Sequence, residues 1–345
     1  MIALNTQQSV SKLHKALFAW WQSHGRVLPW REKLAAQDLT IKKAERSTVL
    51  SLREQAFTSY MANELRRDPY RVVVAEIMLQ QTQVDRVMSK YLAWMTQWPT
   101  VADLAKAELS KVLIFWQGLG YNRRARFLWL LAKEVSENRG GEWPQTEAEL
   151  VQLPGISRYT ARAIMSFAFG QQVGVVDTNV KRVLRRLLDG QEAAATPTLS
   201  EKEWFIWADQ IIPPGQADPW NQLIMDFGAL ICTAKAPKCL ECPVQAICQA
   251  QQEAKRLGFP SYRELLSTQP ASIKKKKAVR FEDTDRYFRG RVMDLLRERT
   301  CTKEELWQQL STQHGLEPRE RFEKVLAGLV CDSLAVVENG CVKLP

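Results

Sequence analysis

Four cysteines fall within seventeen residues, at Cys232, Cys239, Cys242 and Cys248, and their spacing, Cys-x6-Cys-x2-Cys-x5-Cys, constrains this chain more than any other feature. Four thiolates so placed share one compact loop, and such a loop holds a zinc ion or an iron–sulfur cluster. Structural zinc more often uses two Cys-x2-Cys pairs far apart, and one such pair is present here, so a [4Fe–4S] cluster is favoured over zinc. The other three cysteines, Cys301, Cys331 and Cys341, are scattered near the C-terminus. With no secretory-type leader in view, this pattern reads as a metal site in a reducing compartment, not as a disulfide scaffold. Lys235, Pro237 and Lys238 lie between the first two cysteines. A rigid loop carrying two lysines can meet a phosphate backbone by displacing condensed counterions. It can equally leave both lysines simply solvated.

Around this loop the chain reads as mainly α. Apolar residues recur at spacings of three and four in Val72–Met95, Ala102–Trp116, Ala125–Val135, Tyr159–Phe169 and Val180–Leu188, which predicts helices. Leu13, Leu17, Trp20 and Trp21 share one face of a first helix. Composition marks the boundaries. Residues 32–67 hold many charges and few bulky apolar side chains, as an insertion would. A basic linker at 261–280 contains Lys274–Lys277. Beyond it, helices are expected at Asp285–Arg299, Lys303–His314 and Pro318–Ser333. A hairpin, Ala335–Val337 with Cys341–Lys343, turns at Asn339-Gly340. The expected organisation is a helical body at 1–260, the linker, and a small, winged-helix-like module at 281–345. No apolar run approaches the roughly 20 residues that span a bilayer, so no membrane partner is expected. The net charge of +10 favours an anionic partner, nucleic acid foremost.

Three further motifs carry chemistry. Leu153-Pro154-Gly155-Ile156-Ser157-Arg158-Tyr159 predicts helix, glycine turn, helix, with backbone N–H groups of the second helix facing an anion such as a phosphodiester. The plainer alternative is an αα-corner. In Val72–Thr82 one carboxylate, Glu76, sits in a strongly apolar run. Buried there, it would hold and deliver a proton near neutral pH; alternatively it lies on an exposed stripe with Gln80 and Gln83. Asp177, before the helix Val180–Leu188, is a natural N-cap. A carboxylate fixed by helix N–H groups can also stabilise a cationic transition state, and Glu76 with Asp177 would make an acid and electrostatic-stabiliser pair.

Taken together, these stretches resemble the helix–hairpin–helix DNA glycosylases of the endonuclease III superfamily, in particular its adenine DNA glycosylases of the MutY type. The resemblance covers residues 13 to 250, with a gap at 32–67. It rests also on Leu28-Pro29-Trp30-Arg31, Asp68-Pro69-Tyr70-Arg71, Gly118-Leu119-Gly120-Tyr121, Val176-Asp177-Thr178-Asn179-Val180 and Asp226-Phe227-Gly228-Ala229. It implies a two-lobed helical fold that draws a mispaired adenine out of double-stranded DNA and hydrolyses its glycosidic bond opposite 8-oxoguanine or guanine. Glu76 is then the general acid, Asp177 the stabiliser of the sugar cation, and Tyr159 and Asn179 line the pocket. Gln81 and Tyr121 wedge into the DNA, and Arg31 stands at the pocket edge. The hairpin at Gly155 and Ser157, with Lys235 and Lys238, contacts the backbone. Bifunctional relatives carry a lysine at the Tyr159 position; a phenol forms no Schiff base, so a monofunctional enzyme leaving an abasic site is expected. Ser157 stands where the family usually has a second hairpin glycine, which would make a positive φ there uncomfortable. About 85 residues follow Pro260, too few for the Nudix-like domain of full-length members, as in short bacterial forms. A cytoplasmic, nucleoid-associated monomer is expected. The alternatives are excision of thymine or uracil opposite guanine, or a DNA-binding protein without catalysis.

Overall fold

The computed structural model of the chain describes residues 7–31, 67–190, 199–268 and 280–345. The 32–67 insertion, apart from Arg67, and the Lys274–Lys277 run lie outside the described residues. In chain order the helices of the body are α1 (Gln7–His24), α2 (Pro69–Leu79), α3 (Val84–Gln97), α4 (Val101–Ala105), α5 (Leu109–Phe115), α6 (Arg123–Lys133), α7 (Glu147–Leu150) and α8 (Arg158–Phe167). They continue as α9 (Thr178–Leu188), α10 (Glu201–Gln210), α11 (Ala217–Leu230), α12 (Gln249–Arg256) and α13 (Tyr262–Thr268). The chain divides into two compact units. The first is Met1–Val72, Gln145–Leu150 and Ile156–Ile273; the second is Val73–Pro144, Val151–Gly155 and Lys274–Pro345.

In the first unit the amphipathic pattern of α9 is realised as read. Val180, Val183, Leu184, Leu187 and Leu188, at i, i+3, i+4, i+7 and i+8, pack with Leu13, Leu17, Trp20 and Trp21 of α1 and with Trp220, Leu223 and Phe227 of α11. Helix α11 is buried on nearly every side from Ala217 to Gly228, so its polar residues need internal partners. Asn221 finds three: it donates to Ser166 Oγ and to the Val173 carbonyl, both at 2.9 Å, and accepts from Val175 N at 3.0 Å. That amide thereby pins the extended segment leading into Asp177.

Helix α2 starts where Asp68 accepts a hydrogen bond from Tyr70 N at 2.8 Å, with Pro69 at the first helical position, where its missing N–H costs nothing. The periodicity over Val72–Met95 predicts one helix, but the chain breaks between Leu79 and Val84, with Gln81 at φ 55°. Ala102–Trp116 likewise divides into α4, whose start Thr100 and Asp103 cap with reciprocal hydrogen bonds, and α5. Behind these elements Trp94 meets Trp98, Phe115 and Trp116 edge to face, at centroid separations of 4.6, 5.7 and 5.6 Å.

The C-terminal segment belongs to the second unit. It runs α14 (Asp285–Glu298), β1 (Cys301–Thr302), α15 (Lys303–His314), α16 (Arg319–Cys331), β2 (Val336–Glu338) and β3 (Cys341–Lys343). The strands form an antiparallel sheet in the order β1-β3-β2, pairing Cys301 and Val337 with Val342. Asn339 and Gly340 take φ 50° and 76°, as a two-residue hairpin turn requires. This is the element order of a winged helix. Strand β1 has two residues and escapes sequence reading because Thr302 also caps α15, accepting from Glu305 N.

Candidate functional site

In the first unit Asp177 is indeed the N-cap of α9. Its Oδ1 accepts from Val180 N at 2.6 Å, and its Oδ2 accepts from Asn179 Nδ2 at 3.0 Å. Capping and fixing the carboxylate are thus one geometry, at the helix end where negative charge is favoured. Asn179 Oδ1 in turn accepts from Arg182 Nη2 at 3.0 Å. Arg182 also donates to the Cys232 carbonyl at 2.8 Å and to the Gly228 carbonyl at 2.7 Å. A side chain at 228 would place Cβ 3.0 Å from Asn179 Cβ, so the glycine lets α11 approach α9 closely. One turn further on, Arg186, 1% exposed, donates to the carbonyls of Thr233 at 2.7 Å and Ala234 at 3.0 Å. Its guanidinium lies 3.6 Å from Cys232 Sγ and over the Tyr262 ring. Helix α9 therefore carries Asp177 at one end and grips the cysteine loop with the other.

Cys232, Cys239, Cys242 and Cys248 line one cavity together with Arg186 and Tyr262. Burial and the neighbouring thiols push Cys242 and Cys248 up to about 12 and raise Cys239. Thiols in such a crowd keep their protons until a cationic centre replaces them. A four-thiol cavity gripped by two arginines suits an iron–sulfur cluster, the sequence's preferred alternative. Lys235 and Lys238 of this loop are exposed, whereas Pro237 between them is buried.

Arg31 is 3% exposed. Its guanidinium pairs with Asp226, at 2.7 Å to Oδ2 and 2.9 Å to Oδ1. Arg26 Nε, Arg26 N and Trp21 Nε1 donate to the same carboxylate. Burial alone would raise Asp226, but the two guanidiniums and the hydrogen bonds outweigh it and hold the carboxyl down at about 2. Arg31 is thus the centre of a buried ion pair joining residues 26–31 to α11. Tyr159 is half-buried on α8. Ser157 corrects an expectation: its φ is −84° and its hydroxyl accepts from Thr160 N, so position 157 is an N-cap and needs no positive φ. Gly155 does, at φ +76°, and a Cβ there would lie 2.6 Å from Phe127 Cβ.

In the second unit Glu76 is 9% exposed, on the buried stretch Val72–Met78. Gln83 is exposed but Glu76 is not, so the two do not share one exposed stripe. Beyond Leu79, Arg124 explains the break in the helix. Its guanidinium donates to the carbonyls of Ile77 at 2.8 Å, Met78 at 3.1 Å and Gln80 at 2.6 Å, and also to those of Leu119 at 2.8 Å and Gly120 at 3.0 Å. One buried cation thereby satisfies the open C-terminus of α2 and ties the Gln81 turn to the Tyr121 turn. Gln81 and Tyr121, at φ 55° and 47°, are both exposed. Asp226 enters the sequence reading only as part of a motif, and Arg124, Arg182 and Arg186 enter it as no site residue at all; nothing local to them announces partners so distant along the chain.

Residues 74–207 match the family described as the HhH-GPD superfamily base excision DNA repair protein, and residues 232–248 match the iron–sulfur binding domain of endonuclease III. The adenine DNA glycosylase of Homo sapiens is 39% identical over 248 residues, covering 72% of this chain and 41% of that protein. The chain thus spans about two fifths of that relative's length. The adenine DNA glycosylase of Mycolicibacterium smegmatis is 34% identical over 265 residues, covering 77% of this chain and 83% of that protein. Among solved structures, a thermostable thymine-DNA glycosylase is similar at 25% identity and a TM-score of 0.57, covering 71% of this chain and 97% of the other.

Proposed function

The chain belongs to the adenine DNA glycosylase family of helix–hairpin–helix base-excision proteins, and on that premise we propose that it hydrolyses the N-glycosidic bond of adenine mispaired with guanine or 8-oxoguanine in double-stranded DNA. The observation that carries the proposal is Glu76, a carboxyl buried in an apolar helical stretch. In this reading Glu76 protonates a ring nitrogen of the everted adenine. The C1′–N9 bond then breaks with its electron pair leaving on the base. Asp177, held by Val180 N and Asn179, faces the positive charge that develops on the sugar. Water adds at C1′ and gives up its proton to Glu76, leaving an abasic site. Tyr159, with no amine to form an imine, confines the enzyme to hydrolysis.

Cys232, Cys239, Cys242 and Cys248 hold the [4Fe–4S] cluster in this reading. When bound, it cross-links the loop into a rigid unit and takes the place of the thiol protons. Arg182 and Arg186 hold the loop's carbonyls to α9, the helix that Asp177 caps. Gln81 and Tyr121 meet the bases beside the everted nucleotide, and the Gly155–Ser157 hairpin meets the phosphates. The glycosylase body extends through α13 to Thr268, which corrects the linker expected from residue 261, and 281–345 acts as a winged-helix domain.

The likeness to a thymine-DNA glycosylase makes thymine the base to test against adenine. Duplexes bearing A·8-oxoG, A·G, T·G and U·G are incubated with the protein and then treated with alkali. Strand breaks at adenine are expected; breaks at thymine or uracil with none at adenine would reverse the assignment. Glu76→Gln is expected to lower single-turnover excision by at least about 100-fold while duplex binding survives. Retained turnover in that variant removes Glu76 as the acid.

A further inference from the structure

We propose that the cofactor site extends past Cys248, and that Gln251 and Tyr262 are positioning residues for the [4Fe–4S] cluster, closing one wall of its cavity. The inference rests on the cluster reading of the four cysteines for its ligand; the wall itself rests on geometry within the first unit. Helix α12 begins directly after Cys248 and is followed by Gly258, whose φ of 84° lets the chain reverse. Gly258 N donates to the Lys255 carbonyl at 3.0 Å and Phe259 N to the Ala254 carbonyl at 2.9 Å, the paired bonds of a glycine-terminated helix end. The reversal sends residues 259–262 back along α12 toward its start at the fourth cysteine.

Gln251 fastens the returning segment. It lines the cavity and is 2% exposed. Its Nε2 donates to the Pro260 carbonyl at 3.0 Å, and its Oε1 accepts from Tyr262 N at 2.9 Å. Both ends of one buried amide are thus bound to a single short stretch, which fixes its register against α12. Tyr262, itself buried, then lines the cavity that the four cysteines share. It packs with Ala250 and Ala254 against Cys239 and Cys248, and the Arg186 guanidinium lies over its ring at 5.1 Å from the centroid. Next in the chain, the Arg263 backbone N–H donates to Cys239 Sγ. A wall built this way keeps water and small chelators from the thiolates on that side, and it holds Cys239 and Cys248 in place. Partners of this kind, outside the ligands themselves, set how firmly a metal centre is kept.

The test uses the full chain, purified with its iron and challenged with a ferrous chelator at neutral pH. Decay of the brown cluster absorbance reads the cofactor site, and far-ultraviolet circular dichroism of the same sample reads the fold. Gln251→Leu keeps much of the side-chain volume and removes both hydrogen bonds; Tyr262→Ala opens the wall. Each is expected to lose iron about ten-fold faster than wild type while the helical signal holds. Tyr262→Phe should keep the wild-type rate, because the ring and not the hydroxyl fills the wall. Leu257→Ala, an exposed change just before the reversal, should keep it too. Wild-type rates in Gln251→Leu and Tyr262→Ala, in a protein that is brown and iron-loaded, overturn the inference and leave the cluster reading standing. Helical signal lost in step with the iron in both variants also overturns it, since residues 259–262 would then support the fold in general. A colourless wild type that carries zinc overturns the cluster reading, and the inference with it.

Discussion

Asp226 shows how the first unit keeps a charge in its interior. Its carboxylate accepts from Trp21, from the backbone and side chain of Arg26, and from both terminal nitrogens of Arg31. Replacing it by Asn leaves two guanidiniums facing a neutral group, and removing one partner of a buried pair costs about 3–5 kcal/mol. The pH dependence follows from the depressed folded value. With the carboxyl at about 2 when folded and 3.8 in its ordinary state, the pair stabilises the fold fully at pH above about 4. That contribution, about 2 kcal/mol, is lost as pH falls from about 4 through about 2. Urea unfolding of wild type and Asp226→Asn should therefore give midpoints far apart at pH 6 that converge toward pH 2. A gap that stays constant down to pH 2 would show that Asp226 does not change its charge in that range. This ion pair was illegible in the sequence, because its members stand 195 residues apart and no local pattern joins them. The four cysteines were legible, since clustered thiols stand out by residue type, whereas the lone carboxylate of Glu76 left a buried and an exposed placement equally open to local reading.

At the scale of elements, sequence periodicity located the helices but not their interruptions. Val72–Met95 reads as one amphipathic helix because nothing in it is Gly or Pro. The break is imposed from outside, by a guanidinium that reaches the Gln80 carbonyl from 44 residues away. Burial lowers Arg124 to about 10, so it remains charged at neutral pH. Arg124→Met keeps much of the side-chain volume and removes every donor. It should destabilise the protein by about 3 kcal/mol or more, as expected when several carbonyls lose a charged partner. The effect should also be local. Amide exchange should accelerate at residues 77–82 and 119–121, the two segments the guanidinium joins, more than in α9 or α11. Uniform acceleration would mean that Arg124 supports the fold in general and not these turns. The same limit on local reading explains strand β1: two residues carry no period.

For the whole molecule, the winged-helix order was readable because its hairpin bears an Asn-Gly turn and its helices carry their own caps. The division into units was not readable, since contact between the terminal module and residues 73–144 depends on pairs such as Arg297 with Asn122. Charge is the property that the full chain expresses most simply. A net charge of +10 predicts DNA binding that weakens with salt, because each phosphate contact releases counterions and adds about 0.9 to the slope of log K against log salt. Lys235 and Lys238 are both exposed on the cysteine loop, so the phosphate and solvent readings of that loop differ in a measurable way. If both lysines meet phosphates, the double variant Lys235→Ala, Lys238→Ala should lower the slope by about 1.8. Affinity should then fall equally for matched and mismatched duplexes, because a backbone contact reads no sequence. The base preference of the proposed excision should be unchanged, since neither lysine belongs to the stretch that holds Glu76. A titration over several salt concentrations measures both quantities. An unaltered slope would return the two lysines to plain solvation, while a loss confined to mismatched duplexes would move them from the backbone to the bases.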